Sequence, residues 1–168
     1  MTTVRVMTQA DVRAVSALRV AGWQAAYAGL LPQSYLDGMT VEGDARERHR
    51  RFAHAREGVA DFVAVDGAGE VVGWACVGPY RGEVAPGELY ALYVRPPLIG
   101  SGIGRALMDT AHTHARTHGF TSIRLWVLRD NTRARRFYER AGYTPDGTAQ
   151  TESYDGVPIP EVRYERAL

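Results

Sequence analysis

Lysine is absent from this 168-residue sequence, and cysteine occurs only once, at Cys76. Without lysine there is no Gly-Lys-Ser/Thr phosphate-binding motif, and a single cysteine excludes a disulfide within the chain. Long apolar runs are also missing, so neither a signal sequence nor a membrane-spanning helix is expected. These absences predict a cytoplasmic protein that has no membrane partner and works in a reducing compartment.

Neither sign of charge predominates, because twenty basic residues, all arginine, accompany nineteen acidic ones for a net charge of +1. This balance gives no electrostatic footprint for nucleic acid, so no nucleic-acid partner is expected. His114 and His118 have a spacing that suits zinc, but no third ligand has a matching position, so no metal is expected. Apolar residues make up 45% of the chain, which is ordinary for a globular protein. With no linker or repeat, residues 1–168 are predicted to form one domain.

Hydrophobic periodicity alternates between strand and helix along the chain. Strands are predicted at residues 4–7, 61–65, 71–77, 88–94, 123–128 and 162–164. Helices are predicted at residues 11–25, 32–39, 44–56, 102–118 and 131–141, the third of them as a solvated helix with many ion pairs. This order predicts a mixed α/β domain.

The most informative segment is the strand that ends at Val94, followed by prolines and by the turn Gly100-Ser101-Gly102-Ile103-Gly104. Because a helix opens inside this turn, free backbone amides point toward one spot at the positive end of a helix dipole. Glycine lets a diphosphate approach the backbone closely. A dinucleotide fingerprint starting at Gly100 would need glycine or alanine where Arg105 stands, so a Rossmann site is not predicted.

Two motifs resemble those of the GNAT superfamily of N-acetyltransferases, whose acetyl-CoA loop follows a strand ending in Val-x-Pro. The first is Val94-Arg95-Pro96 with Gly102-Ile103-Gly104, although Ile99 occupies the position where the family has Gln or Arg. The second comprises Asn131, Ala134, Phe137-Tyr138 and Gly142-Tyr143. The resemblance implies a mixed, mainly antiparallel twisted sheet flanked by helices, and acetyl-CoA as cosubstrate.

The resemblance also implies where the coenzyme binds. The strands ending at Val94 and Leu128 should splay apart, so that pantetheine pairs with exposed backbone like an extra strand. Backbone amides beside the thioester would polarise its carbonyl, which is typically worth about 3 kcal/mol. The candidate coenzyme-binding residues are Leu92, Tyr93, Val94, Gly100, Ser101, Gly102, Ile103, Gly104, Arg105, Asn131, Arg136 and Phe137.

Acetyl transfer to an amine needs a base for the ammonium proton and an acid for the departing thiolate. Tyr138 occupies the family's usual acid position, and its ordinary pKa near 10 keeps it protonated at neutral pH. Glu88 is the candidate base, because strand alternation would place it on one face with Tyr90, Leu92 and Val94. Glu83 is the alternative base.

Candidate acceptor-pocket residues are Trp23, Tyr27, Tyr35 and Tyr80, because in GNAT proteins the first helix, the loop after it (Pro32–Tyr35 here) and a late loop (Tyr154-Asp155 here) surround the acceptor. The predicted reaction is direct transfer to a primary amine of a small molecule, such as an antibiotic, polyamine or amino acid. A protein or peptide α-amine and a noncatalytic acyl-CoA sensor stay open as alternatives. Dimerisation is common in such folds, and no feature of this sequence determines it.

Overall fold

Seven strands form one mixed sheet in the computed structural model, which describes residues 1–54 and 56–168. They are β1 (Thr3–Val6), β2 (Ala60–Val65), β3 (Val71–Pro79), β4 (Pro86–Val94), β5 (Ser122–Leu128), β6 (Thr144–Tyr154) and β7 (Val157–Ala167). Their order across the sheet is β1-β2-β3-β4-β5-β7-β6. Only β4 and β5 run parallel as neighbours among the described strands, so the predicted mixed, mainly antiparallel sheet is confirmed.

Five α-helices in the described part of the chain cover the two faces of the sheet: α1 (Val12–Ala26), α2 (Gln33–Asp37), α3 (Val41–Ala53), α4 (Ile103–Thr117) and α5 (Thr132–Arg140). The larger core lies between the sheet and the face of α4 that carries Leu107 and Ala111, with α5 packed beside it. On the opposite face, Val12, Val15 and Leu18 of α1 pack against Val63 and Trp74. Within residues 1–54 and 56–168, no helix is long and apolar enough to cross a membrane.

The predicted last strand, 162–164, was too short, and the strand before it was missed. Residues 144–154 form β6, which pairs with β7 around a two-residue turn at Asp155-Gly156. β6 is an edge strand with almost every side chain exposed, so it lacks the apolar alternation that marks a half-buried strand. The Asp155-Gly156 pair is a strong hairpin signal, and it is the feature of the sequence that could have indicated β6.

Helix α3 is less solvated than its dense charge predicts. Ala45 is buried, and the guanidinium of Arg48 lies 4.3 Å from the centroid of the Trp74 ring. Arg19 Nη1 also lies 2.6 Å from Asp44 Oδ1 and so ties α3 to α1. One face of α3 therefore covers the sheet through arginine stems and an aromatic ring, while the opposite face carries the expected ion pairs.

Replacing Gly73 with alanine is expected to lower the free energy of unfolding by about 1–3 kcal/mol. A Cβ at this position of β3 would lie 2.8 Å from Leu107 Cδ1, 3.1 Å from Ile103 Cγ2 and 3.3 Å from Ala64 Cβ. Urea unfolding measures the change. The matched control is Gly67→Ala, whose Cβ would have Met1 O at 3.9 Å as its nearest neighbour. Equal stability of the two variants would contradict the close contact of α4 with β3.

His112 is expected to make the protein less stable as the pH falls from about 6.5 to 4. It is buried, with Nε2 2.7 Å from the Tyr143 hydroxyl and Nδ1 3.1 Å from Arg166 Nη1. Burial, reinforced by the charges of Arg166 and Arg116, lowers the pKa of His112 to about 4. In this window the unfolded chain binds a proton that the native protein does not bind, which removes about 3 kcal/mol of stability.

The measurement is urea unfolding of the wild type and His112→Gln at several pH values between about 4 and 7. The wild type should lose more stability than the variant on acidification. Parallel losses in the two proteins would show that His112 is not held neutral by its surroundings.

Candidate active site

Strands β4 and β5 separate after a short parallel ladder. The ladder pairs Pro86 with Ser122, Gly87 with Ile123 and Glu88 with Arg124, and it ends there. From Leu89 to Val94, the edge of β4 that faces β5 has no strand partner among the described residues. We call this opening the wedge, with Glu88 at its apex. An unpaired strand edge of this kind can receive an extended molecule that carries amide groups.

A bulge in β4 changes which side chains share a face of the sheet. Cys76 pairs with Ala91 and Val77 pairs with Leu89, so Tyr90 is the extra residue. As a result Leu89 packs with Leu92 and Val94 in the core under α4, whereas Ala91 and Tyr93 pack on the α1 side. The predicted common face of Glu88, Tyr90, Leu92 and Val94 was therefore wrong. Glu88 precedes Leu89 and lies on the opposite face, the α1 side.

The glycine turn before α4 presents free amides. Gly100 and Gly102 have φ angles of 89° and 92°, a left-handed conformation that disfavours any side chain. Gly102 is the N-cap of α4, and the amides of residues 102–105 have no hydrogen-bond partner among the described residues. The Ser101 amide is used, because it donates to the Leu98 carbonyl at 3.2 Å. Four amides thus remain at the positive end of a fifteen-residue helix.

Gly104 also has a packing role. A Cβ there would lie 3.3 Å from the Phe137 ring and 3.6 Å from Val94 Cγ2, so the start of α4 sits directly against α5 and the end of β4. Ile99, at the position where the motif departs from the family pattern, is exposed. Asn131 is the N-cap of α5, with its side-chain oxygen accepting from the Ala134 amide at 3.2 Å.

Tyr138 reaches the wedge from α5. Its ring is half-buried, with ring centroids 5.5 Å from Phe137 and 5.9 Å from Tyr143. Its hydroxyl has no hydrogen-bond partner in the described part of the chain. Burial, together with the nearby Tyr93 hydroxyl, raises the pKa of Tyr138 well above its ordinary value. The phenol is therefore protonated at neutral pH and free to donate.

Glu88 is 5% exposed, a low value for a carboxylate without a paired arginine. Burial raises the pKa of Glu88 to about 6, and the positive charges of Arg81 and Arg56 oppose the shift only partly. A carboxylate with a pKa near 6 is ionised at neutral pH and still basic enough to accept a proton. Its burial, its position at the apex and its raised pKa suit a general base.

Five aromatic side chains close the α1 side of the wedge; we call them the aromatic cluster, and they are Trp23, Tyr27, Tyr35, Tyr93 and Tyr154. Trp23 Nε1 donates to the Tyr93 hydroxyl at 2.8 Å. Edge-to-face contacts join Trp23 to Tyr27 at 4.9 Å and Tyr35 to Tyr154 at 5.0 Å between centroids. Burial, with the hydroxyls of Tyr93, Tyr138 and Tyr154 close by, raises the pKa of Tyr27 strongly.

The structure therefore brings three of the four predicted acceptor residues together, Trp23, Tyr27 and Tyr35. Tyr80 lies elsewhere: its ring is under the Arg124 guanidinium at 4.9 Å, and its hydroxyl accepts from Arg163 at 3.1 Å. The alternative base Glu83 is exposed and forms an ion pair with Arg124. Both residues lie in the β3–β4 loop, in a charged patch with Arg124 of β5 and Arg163 of β7, and not in the aromatic cluster.

The family model described as the acetyltransferase (GNAT) family matches residues 23–143, more than half of the chain. The chain belongs to the GNAT acetyltransferase family. The matched span contains both sequence motifs, the glycine turn, the wedge and α5. The resemblance found in the motifs is thus confirmed, and with it the assignment of the protein as an acetyltransferase.

Relatives and structures agree with this family assignment. An uncharacterized N-acetyltransferase of Bacillus subtilis, YuaI, is 32% identical over 96% of this chain and 91% of its own length. A mycothiol acetyltransferase of Propionibacterium freudenreichii is 41% identical over 63% of this chain, but only 33% of its own length is covered. The crystal structure of PaiA N-acetyltransferase from Thermoplasma acidophilum, in complex with coenzyme A, has a TM-score of 0.76 at 20% identity, covering 100% and 99% of the two chains.

Sequence reasoning about this GNAT protein missed two features of the site. The first is the bulge at Tyr90, which no local sequence pattern in β4 indicates. The second is Tyr154, which reaches the cluster from the β6–β7 hairpin and was placed only in a loop near the acceptor. Arg136, a predicted coenzyme contact, is exposed on α5. Arg105 lines a groove beside α4.

Proposed function

We propose that this GNAT acetyltransferase transfers the acetyl group of acetyl-CoA directly to a primary amine of a small molecule, in a ternary complex and in the cytoplasm. The observation that carries the proposal is the wedge. It combines an unpaired β4 edge, four free amides at the start of α4, and two titratable groups suited to acid and base work.

The donor would lie in the wedge with its diphosphate on the amides of residues 102–105. Pantetheine would pair with the free edge of β4 from Leu92 to Val94, and Asn131 would contact it from the start of α5. This placement brings the thioester toward the apex, between the face that carries Tyr138 and the face that carries Glu88. Backbone amides of β4 would stabilise the oxyanion that forms when the amine attacks.

Glu88 and Tyr138 divide the two proton transfers of the reaction. The amine approaches from the α1 side, and its nitrogen forms a bond to the acetyl carbon while Glu88 accepts the ammonium proton, directly or through water. The carbon–sulfur bond then breaks, and Tyr138, on the α5 side, protonates the leaving thiolate. The two proton transfers are therefore carried out by different residues, Glu88 at the amine and Tyr138 at the sulfur.

The acceptor would meet the aromatic cluster. Its rings come from α1, α2, β4 and the β6–β7 hairpin, and they close the α1 side of the wedge with apolar surface. Such a cluster can hold a compact amine by stacking and by cation–π attraction. A relative named for mycothiol, a small molecule, supports the same acceptor class.

The test is thiol release from acetyl-CoA in the presence of three sets of amines: aminoglycoside and amino-acid amines, polyamines, and peptides with free α-amines. Turnover with a small amine, and none with peptides, supports the proposal. Turnover restricted to peptides would move the acceptor to the protein class. Tight donor binding without turnover in any set would indicate a noncatalytic acyl-CoA sensor, and absence of donor binding would overturn the donor assignment.

A further inference from the structure

A groove beside α4 carries an excess of positive charge. It runs between α4 and the junction of α5 with β6, and it is lined by Arg105, Asp109, His112, Arg116, Arg140 and Arg166 among others. Four arginines thus face one carboxylate. Ten of the twenty arginines in the chain lie within 4.0 Å of a carboxylate, but none of these four does within the described residues.

One of the four arginines is held in place by a buried partner. Arg166 Nη1 donates to the Ala141 carbonyl at 3.0 Å and to His112 Nδ1 at 3.1 Å. His112 is 2% exposed and is itself fixed by the Tyr143 hydroxyl at 2.7 Å. The other nitrogens of the Arg166 guanidinium have no partner among the described residues, so this cation is oriented but unpaired. An arginine fixed in this way is ready to bind an anion.

One end of the groove lies next to the glycine turn in sequence. Arg105 stands in the first turn of α4, directly after the free amides of residues 102–104, and it also lines the groove. An anion bound in the groove would therefore be a neighbour of a diphosphate bound at the turn. Guanidinium groups favour phosphate oxygens, because their planar fork can donate two parallel hydrogen bonds.

We propose that this groove is a binding site for a phosphate group, separate from the diphosphate loop and formed by Arg105, Arg116, Arg140 and Arg166. Two sources carry the required chemistry: the 3′-phosphate of the coenzyme, bound to the same protein, and a free phosphate. The coenzyme can be the source only if acetyl-CoA binds as in the proposed function, whereas free phosphate does not depend on that proposal.

The first arm compares the affinity of acetyl-CoA with that of acetyl-dephospho-CoA, which lacks only the 3′-phosphate, by calorimetric titration. The proteins are the wild type, the double variant Arg116→Gln/Arg140→Gln, and Arg133→Gln. Arg116 and Arg140 are exposed helix residues, so the double variant should fold. Arg133, an exposed arginine of α5 outside the groove, controls for a loss of charge alone.

If the source is the coenzyme, the wild type and Arg133→Gln should bind acetyl-CoA about tenfold more tightly than the dephospho form at low salt. The double variant should lose most of this preference while keeping its affinity for acetyl-dephospho-CoA. A preference that persists in the double variant would place the 3′-phosphate outside the groove and rule out the coenzyme as its source.

The second arm titrates inorganic phosphate and follows the imidazole signals of His112 by NMR. Shifts in the wild type that are absent from the double variant would identify free phosphate as the ligand, even if neither donor binds. The proposal is overturned if no phosphate-dependent shift is seen and the donor preference is either absent or unaffected by the double variant. If neither acetyl-CoA nor acetyl-dephospho-CoA binds, the proposed function is contradicted. The titration with inorganic phosphate then tests the groove independently.

Discussion

Replacing Tyr138 with phenylalanine is expected to lower kcat by about 10²- to 10³-fold with little change in the KM for acetyl-CoA. The substitution removes only the hydroxyl, which has no hydrogen-bond partner among the described residues, so the ring contacts with Phe137 and Tyr143 stay. The loss should therefore appear in the step that protonates the thiolate. Steady-state thiol release measures it.

Two controls accompany this prediction. Tyr80→Phe removes a hydroxyl from the charged patch outside the aromatic cluster and should leave kcat nearly unchanged. A thiolate whose thiol has a lower pKa leaves more easily without being protonated. The loss of kcat in Tyr138→Phe should therefore be smaller with an acetyl thioester of such a thiol. Unchanged turnover in Tyr138→Phe, or a loss independent of the leaving group, would remove Tyr138 as the acid.

Replacing Glu88 with glutamine should lower kcat/KM about 10²-fold at neutral pH and remove the acidic limb of its pH profile. In the wild type this limb should have its midpoint near 6, because burial raises the pKa of Glu88 to that value. Only the ionised carboxylate can accept a proton, so kcat/KM should rise as the pH increases through 6. Deprotonation of the amine itself adds a further rise at higher pH.

The matched control is Glu83→Gln, which changes the alternative base that Arg124 already neutralises. It should keep the limb near pH 6. A limb that survives in Glu88→Gln and disappears in Glu83→Gln would reverse the assignment. Misfolding is not expected in Glu88→Gln, because a neutral amide avoids the cost of a buried charge, and urea unfolding at about pH 8 checks this.

The part of the fold that the sequence predicted well is the part with strong periodicity. Helix α4 has apolar residues at helical spacing and ends before Gly119, and it lies within one residue of its predicted ends. β6 was missed because an edge strand with exposed side chains has no apolar pattern to detect. Its only signal was the Asp155-Gly156 turn, which depends on local backbone geometry and not on burial.

The parts of the site that depend on local sequence could be predicted. The parts that depend on how strands pair and pack in the folded protein could not. The free amides of the glycine turn follow from glycine positions and a helix start, both visible in the chain. The face on which Glu88 lies depends on one extra residue in β4, which shifts every later side chain to the other face. Tyr154 joins Tyr35 and Trp23 only through the folded hairpin, so sequence distance conceals the contact.

The most direct test of the account is a crystal structure of the protein with acetyl-CoA. We predict pantetheine in the wedge, paired with the free edge of β4, the diphosphate on the amides of residues 102–105, and the thioester between Tyr138 and Glu88. Coenzyme bound outside the wedge, or a β4–β5 ladder that closes on binding, would contradict the account.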